Sequence, residues 1–368
     1  MSVFNTDFIV VYIRVMQGCN LDCDHCFTLG TEDDRMVTEI GLIDDYLKAI
    51  KQNINPKKVT FYIHGGETFL APLDYLRDVN DLITKYFKEA KIDIIPQTNL
   101  TFKIDQEFID LIKIQYSSTI GVSWDADIRF DDTRQSDLFF KNLKTLLDNN
   151  IKVHIAITAQ KYLLNHDPLK IIKQFEGVDS IDFELLTVFN DKTKNLKPNN
   201  LAWAEWFDKV VDYYQHNETT WCLPQIDLFV KSILGGMIYD CKCNCCDKRT
   251  FTLNPNGTVG FCPDLTYVQP ITTVAEMKSD WAAVEAKGLD VVINKLYDSE
   301  KHEMCYTCEH YDICGGNCES ALFDETNECP LSKKSISRIK DNIETFKVLY
   351  ENKALRNLTE LRENYDNT

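Results

Sequence analysis

Three thiols fall within eight residues, Cys19-Asn-Leu-Asp-Cys23-Asp-His-Cys26, with Phe27 directly after. One loop can then ligate three irons of a cubane cluster, which leaves the fourth iron without a protein ligand. An iron with open coordination can be chelated by a cofactor that accepts an electron from the cluster. Zinc is the competing reading. It closes a tetrahedron with four ligands, so His25 would have to supply the fourth from inside the same tight turn.

The 368 residues contain 14 cysteines: three in this loop, Cys222 by itself, and ten from Cys241 to Cys329. The first seven residues lack a basic region, and no stretch approaches the roughly 20 apolar residues of a spanning helix. The expectation is a cytoplasmic chain away from membranes, where many structural disulfides would not persist and metal or redox chemistry is the better use of thiols. A formal charge of -17 argues against a nucleic-acid partner, which calls for concentrated Lys and Arg. With 44% hydrophobic residues the chain can bury one large core, or one core and a smaller appended domain.

The elements that must position the thiols follow from the pattern of apolar residues. Residues 8–16, an apolar and β-branched run, read as a strand ending at the first cysteines. Further strands are expected near 59–63, 92–96, 117–124, 151–158 and 180–186, separated by helical patterns at 39–51, 73–88, 105–114, 137–149 and 168–175. Another helix is expected at 201–214, and a charged helix at 331–362. This β/α alternation implies a parallel sheet, either a partial barrel or an open doubly wound sheet, with ligands gathered at the carboxyl ends of the strands.

Cys-x3-Cys-x2-Cys after a first strand, with Asn-Leu inside and an aromatic following, resembles the radical S-adenosylmethionine superfamily. His64-Gly65-Gly66-Glu67 after the second strand supports the likeness. Its glycines let backbone approach a ligand closely, and the resemblance gives the Glu67 carboxylate the cofactor's amino group. It also implies that the backbone at His25 meets the adenine, that Asn99 of Gln97-Thr98-Asn99 lies at the cofactor, and that Ser123 and Arg134 hold its carboxylate. The sequence departs from the family at His25, where Tyr or Phe is usual, at Thr68, where Pro is common, and at Leu100, where Gly is frequent.

From Cys241 the chain reads Cys-Lys-Cys-Asn-Cys-Cys246, then Gly257-x4-Cys262, Cys305-x2-Cys308-x5-Cys314-x3-Cys318 and Cys329. This looks like a SPASM domain over roughly residues 237–335. Ligands interleave in that family, which implies Cys241, Cys246, Cys262 and Cys318 for one auxiliary 4Fe-4S cluster and Cys305, Cys308, Cys314 and Cys329 for the other. Cys243 or Cys245 could replace Cys246, and zinc remains an alternative for these ligands. Cys222 reads as a small apolar residue. The fold class implied is α/β: a partial (β/α)6 barrel over 1–215, a bridging segment 216–236, the SPASM domain and a C-terminal helical tail.

The resemblance implies reductive cleavage of S-adenosylmethionine to a 5'-deoxyadenosyl radical that abstracts hydrogen from a peptide. An intrapeptide crosslink, carbon-carbon or thioether, in a ribosomally made precursor is the favoured outcome, with formylglycine formation in a sulfatase as the alternative. A non-catalytic iron-sulfur electron-transfer protein is the third reading, and Gly65 to Glu67 argue against it. Asp264, just past Cys262, is the best-placed acceptor of a proton, although Pro263 intervenes where sulfatase-maturing enzymes have the aspartate directly after the cysteine. Expected partners are the precursor peptide and reduced flavodoxin or ferredoxin as electron donor. Only 18 residues precede Cys19, so leader binding is expected on another surface or on a separate peptide-recognition protein.

Overall fold

The computed structural model describes residues 7–31, 34, 36–236, 249–297, 304–316, 324–326 and 328–352. Cys241, Cys243, Cys245, Cys246 and Cys318 lie outside the described residues.

Six strands follow the expected runs: β1 (Phe8–Met16), β2 (Lys58–Gly65), β3 (Lys91–Thr98), β4 (Thr119–Ser123), β5 (Lys152–Ala159) and β6 (Ser180–Leu185). Each is parallel to the next. Parallel neighbours need a crossover, here α1 (Ile40–Asn53), α2 (Leu73–Phe87), α3 (Gln106–Gln115), α4 (Thr133–Asp148) and α5 (Pro168–Lys173). The strand order is sequential without reversal. That is the order of a sheet wound in one direction, as in barrels, whereas a doubly wound sheet has a switch point.

The helices face the sheet along one stripe. In α4 the buried residues are Phe139, Asn142, Leu143 and Leu146, the i, i+3, i+4, i+7 spacing of an amphipathic helix. Asp105, Asp132 and Asp167 start α3, α4 and α5 by accepting hydrogen bonds from the amides of Phe108, Gln135 and Leu169, which satisfies donors the helices cannot. Between the strands and helices lies a core that includes Val11, Ile13, Phe61, Ile63, Phe87 and Phe139, all 0% exposed.

After β6 come α6 (Asp191–Leu196), α7 (Asn200–His216) and α8 (Pro224–Ile233), so the expected bridging segment contains a helix. Trp203, Trp206 and Phe207 of α7 pack around Phe183 of β6 with ring centroids 5.5 to 6.0 Å away. The chain then returns to the same sheet. β7 (Thr250–Leu253) pairs in parallel with β1 on the side away from β2, and β8 (Thr258–Gly260) and β9 (Thr272–Thr273) extend it antiparallel.

Helices α9 (Val274–Ser279) and α10 (Trp281–Tyr297) follow. The charged helix expected over 331–362 is interrupted: helix Lys333–Asp341 stops at Asn342, and 343–352 is helical again. The Asn342 side chain donates to the Arg338 carbonyl at 2.9 Å, a local bond that competes with continuation of the helix. Among the described residues no helix is long and apolar enough to cross a membrane.

Candidate active site

The first cysteine loop, the Gly-Gly-Glu turn, Asn99 and Ser123 gather at the carboxyl ends of the parallel strands. Cys19, Cys23 and Cys26 lie in the loop after β1, and Gly66 and Glu67 directly follow β2. These two loops press backbone to backbone. A Cβ at Gly66 would stand 2.3 Å from the Gly18 carbonyl oxygen, and one at Gly65 2.6 Å from that of Met16. The Gly66 amide donates to Met16 and the Glu67 amide to Gly18, both at 2.8 Å. The close approach that requires glycine is therefore to the cysteine loop itself.

Glu67 is 1% exposed. Its carboxylate accepts from the Phe69 amide at 3.1 Å, the Thr98 hydroxyl at 2.8 Å and the Asn99 amide at 2.7 Å. Burial pushes this carboxyl up to about 7 despite those donors. The structure thus turns the Glu67 carboxylate inward, where it ties the end of β2 to the end of β3. The side-chain amide of Asn99 donates to Asn20 Oδ1 at 2.9 Å and reaches Cys19 Sγ at 3.6 Å. At the end of β4, the Ser123 hydroxyl accepts from Gln97 at 2.7 Å.

His25 belongs to a buried cluster that the sequence did not reveal. Its Nε2 lies 3.0 Å from Asp125 Oδ2, just past β4, and Arg129 Nε donates to the same oxygen at 2.7 Å. The Thr158 amide, near the end of β5, donates to Asp125 Oδ1 at 2.5 Å. Burial acts to raise the Asp125 carboxyl, but Arg129 and then His25 more than reverse this and hold it well below the usual carboxylate range. The Cys23 thiol donates to the Arg129 carbonyl at 3.7 Å, which places the cluster against the first cysteine loop.

Arg134 is not brought into this group. It sits in the first turn of α4, its side chain 91% exposed and paired with Asp132 at 2.6 Å. Asp132 is the cap of that helix, so the guanidinium is drawn to the helix start. A half-buried cation follows β4 instead: Arg129, its side chain 14% exposed and ion-paired with Asp125.

Arg14 connects the two cysteine-bearing regions. It is 2% exposed on β1; its Nη1 donates to Asn254 Oδ1 at 2.9 Å, its Nη2 donates to the Pro263 carbonyl, and its guanidinium lies 5.6 Å from the centre of the Phe27 ring. Burial lowers it to about 10, while Asp264, Cys26 and Cys262 act to keep the proton on. The Thr187 hydroxyl, just beyond β6, donates to Asp264 Oδ2 at 2.5 Å. Asp264 therefore lies against the segment that follows β6. Arg14 had a signal in the sequence, being the one charge in an apolar strand, whereas Asp125 and Arg129 had none beyond following the fourth strand.

The donor set suits iron-sulfur clusters. None of the nine described cysteines forms a disulfide, and burial pushes the Cys19 thiol up to about 11 and that of Cys23 up to about 12. A metal binds such groups as thiolates, and the proton is released to solvent or a base as it does so. Cys305, Cys308, Cys314 and Cys329 line one cavity together with Tyr311 and Leu331. Zinc would draw its thiolates to about 3.8 Å of one another. A cubane binds each thiolate to a different iron and so spaces them more widely. Two buried histidine nitrogens lack a partner among the described residues, His25 Nδ1 and His310 Nδ1, and both lie within cysteine runs.

No family model matches the sequence. The cysteine-type anaerobic sulfatase-maturating enzyme of Clostridium novyi is 22% identical over 325 residues, 82% of this chain and 85% of that protein. The serine-type anaerobic sulfatase-maturating enzyme of Bacteroides thetaiotaomicron is 25% identical over 171 residues, 45% of this chain and 39% of that protein. Among solved structures, native anSMEcpe with bound AdoMet and Kp18Cys peptide superposes with a TM-score of 0.75 at 19% identity, covering 94% of this chain and 99% of that one. Streptococcus suis SuiB bound to precursor peptide SuiA gives 0.56 at 17% identity, over 86% and 73% of the two chains. The mixed α/β architecture with its central parallel sheet is thus the fold of radical S-adenosylmethionine/SPASM structures. The chain is similar in sequence to sulfatase-maturating enzymes and in fold to SuiB, a protein crystallised with precursor peptide SuiA.

Proposed function

We propose that this protein is a radical S-adenosylmethionine enzyme that oxidises a side chain of a peptide substrate. The observation that carries the reading is the placement of Cys19, Cys23 and Cys26 at the carboxyl end of β1, ringed by residues from the same ends of β2 to β5. Those three thiolates would hold a 4Fe-4S cluster, and S-adenosylmethionine bound to its open iron would supply a 5'-deoxyadenosyl radical for hydrogen abstraction.

The chain's own residues supply orientation and charge. The Gly65-Gly66-Glu67 turn and Asn99 fix the cysteine loop. Ser123 accepts from Gln97 and keeps its O–H to donate to the cofactor carboxylate, and Arg129, half-buried and paired with Asp125, is a cation suited to the same anion. Asp264 takes up the proton released on oxidation, its carboxylate oriented by Thr187 and balanced by Arg14. Cys305, Cys308, Cys314 and Cys329 would hold one auxiliary cluster, and Cys262, with Cys241, Cys246 and Cys318, another that passes electrons onward.

An intrapeptide crosslink in a ribosomally made precursor is the favoured product. Formylglycine formation is the second reading, favoured by the similarity to two sulfatase-maturating enzymes. The test is to reconstitute the protein anaerobically, reduce it and supply S-adenosylmethionine with short peptides encoded beside its gene or with sulfatase-derived peptides. Formation of 5'-deoxyadenosine is expected, and its absence overturns the enzyme reading. A peptide that loses two hydrogens without reacting with a hydrazine probe carries a crosslink, whereas a hydrazine-reactive product is an aldehyde.

A further inference from the structure

Among the described residues Arg14 is the only lysine or arginine buried from solvent, and the residues that hold it belong to both cysteine regions. Its guanidinium lies over the ring of Phe27, which follows Cys26, and donates through Nη2 to the carbonyl of Pro263, which follows Cys262. Its Nη1 donates to Asn254 Oδ1 at 2.9 Å. Asn254 has only that oxygen to offer, because its Nδ2 donates to the Thr258 hydroxyl at 2.8 Å and to the Thr266 carbonyl at 3.2 Å. The sheet sets this up. β1 and β7 pair Ile13 with Leu253, so Arg14 and Asn254 are the next residue on each strand.

A guanidinium keeps its proton at neutral pH. His64, its partner in register on β2, stays neutral, pushed down to about 4 by burial and then by the Arg14 charge. One-electron reduction of a cubane adds one negative charge, and a buried cation close by favours the reduced form. We propose that Arg14 tunes two clusters at once, raising the reduction potential of the one held by Cys19, Cys23 and Cys26 and of the auxiliary one that includes Cys262. The inference rests on the iron-sulfur reading of those thiols. Cys305, Cys308, Cys314 and Cys329 line a separate cavity without Arg14, so their cluster serves as an internal control.

Dithionite titration of the anaerobically reconstituted full chain, followed by electron paramagnetic resonance, gives the potential of each cluster without any peptide substrate. The signal that S-adenosylmethionine perturbs marks the first cluster. R14Q, matched to wild type in iron content, should make reduction of the first cluster and of one auxiliary cluster about tenfold less favourable, or about 59 mV for a one-electron couple. The other auxiliary cluster should stay within about twofold. R14K keeps the charge and should stay within about threefold of wild type throughout. D264N removes the carboxylate whose charge opposes that of Arg14 and should move the same two clusters the opposite way by about threefold or more, which settles the proposal should R14Q take up no iron. R14K as low as R14Q, a shift shared equally by all the clusters, or potentials unmoved in R14Q or D264N overturns the proposal and leaves the cluster reading intact. A wild type with no signal that S-adenosylmethionine perturbs overturns the reading of the first cysteine loop and this inference with it.

Discussion

Asp125→Asn should destabilise the protein far more than a neutralised surface carboxylate would. Asp125 is fully buried and gathers donors from the cysteine loop, its own loop and β5: His25 Nε2 at 3.0 Å, Arg129 Nε at 2.7 Å and the Thr158 amide at 2.5 Å. Asparagine keeps the volume, removes the charge and replaces one acceptor oxygen with a donor that faces other donors. Arg129 is then left 14% exposed without its counter-charge. Breaking a buried pair from one side costs about 3–5 kcal/mol, and the slight exposure of Arg129 places the expectation at about 3–4 kcal/mol. Urea unfolding of the apoprotein at neutral pH reads this directly. At a slope of about 3 kcal/mol per molar the midpoint should fall by about 1 M, and a fall below about 0.3 M refutes the reasoning. The pH dependence is a second check. The native Asp125 carboxyl lies below its unfolded value, so the native state binds fewer protons there, and its contribution is present above about pH 4 and lost as pH falls through the native value. The gap between wild type and variant should therefore narrow on acidification, and a constant gap down to about pH 3 counts against the pair.

Burial raises the Asp227 carboxyl to about 7, so the native state binds more protons than the unfolded state between about pH 4 and 7 and its stability falls as pH rises through that window. Asp227→Asn should melt higher than wild type at pH 8 and about the same at pH 4, as followed by circular dichroism. Gly66→Ala forces a Cβ to within 2.3 Å of the Gly18 carbonyl oxygen; after reconstitution its iron content should drop while its far-ultraviolet spectrum stays native. Cys308→Ser removes one ligand from the cavity shared with Cys305, Cys314 and Cys329, and iron should fall from about twelve to about eight per chain. A value unchanged at about twelve would remove that auxiliary cluster's assignment.

The strands were legible because they are either near-continuous apolar runs, as in Phe8–Met16, or alternate polar with apolar residues, as in Ser180–Leu185. The first cysteine loop was legible because its three ligands are adjacent in sequence. What stayed hidden depends on contacts distant along the chain. Asp125 and Arg129 matter because His25, a hundred positions earlier, folds onto them, and no local pattern marks such a meeting. The resemblance pointed to Arg134, yet Asp132 beside it offers a nearer partner at the start of α4. Glu67 was legible as an important carboxylate, but its inward turn depends on Thr98 and Asn99 at the end of the neighbouring strand. The break at Asn342 came from one side chain bonding back to Arg338, which composition alone does not weigh.

The pairing of β7 with β1 decides how the chain can be divided. Val10 to Ile13 are flanked on one side by β2 and on the other by Thr250 to Leu253. A fragment ending near residue 236 would expose that side of β1 as an open edge, a template for pairing between molecules. It would also strip Arg14 of Asn254 and Pro263, the acceptors of its guanidinium. The half with the first cysteine loop is therefore not a portable module: exchanging the second half between related proteins has to carry the residues around 250–264 along, or the graft will aggregate before it can be assayed.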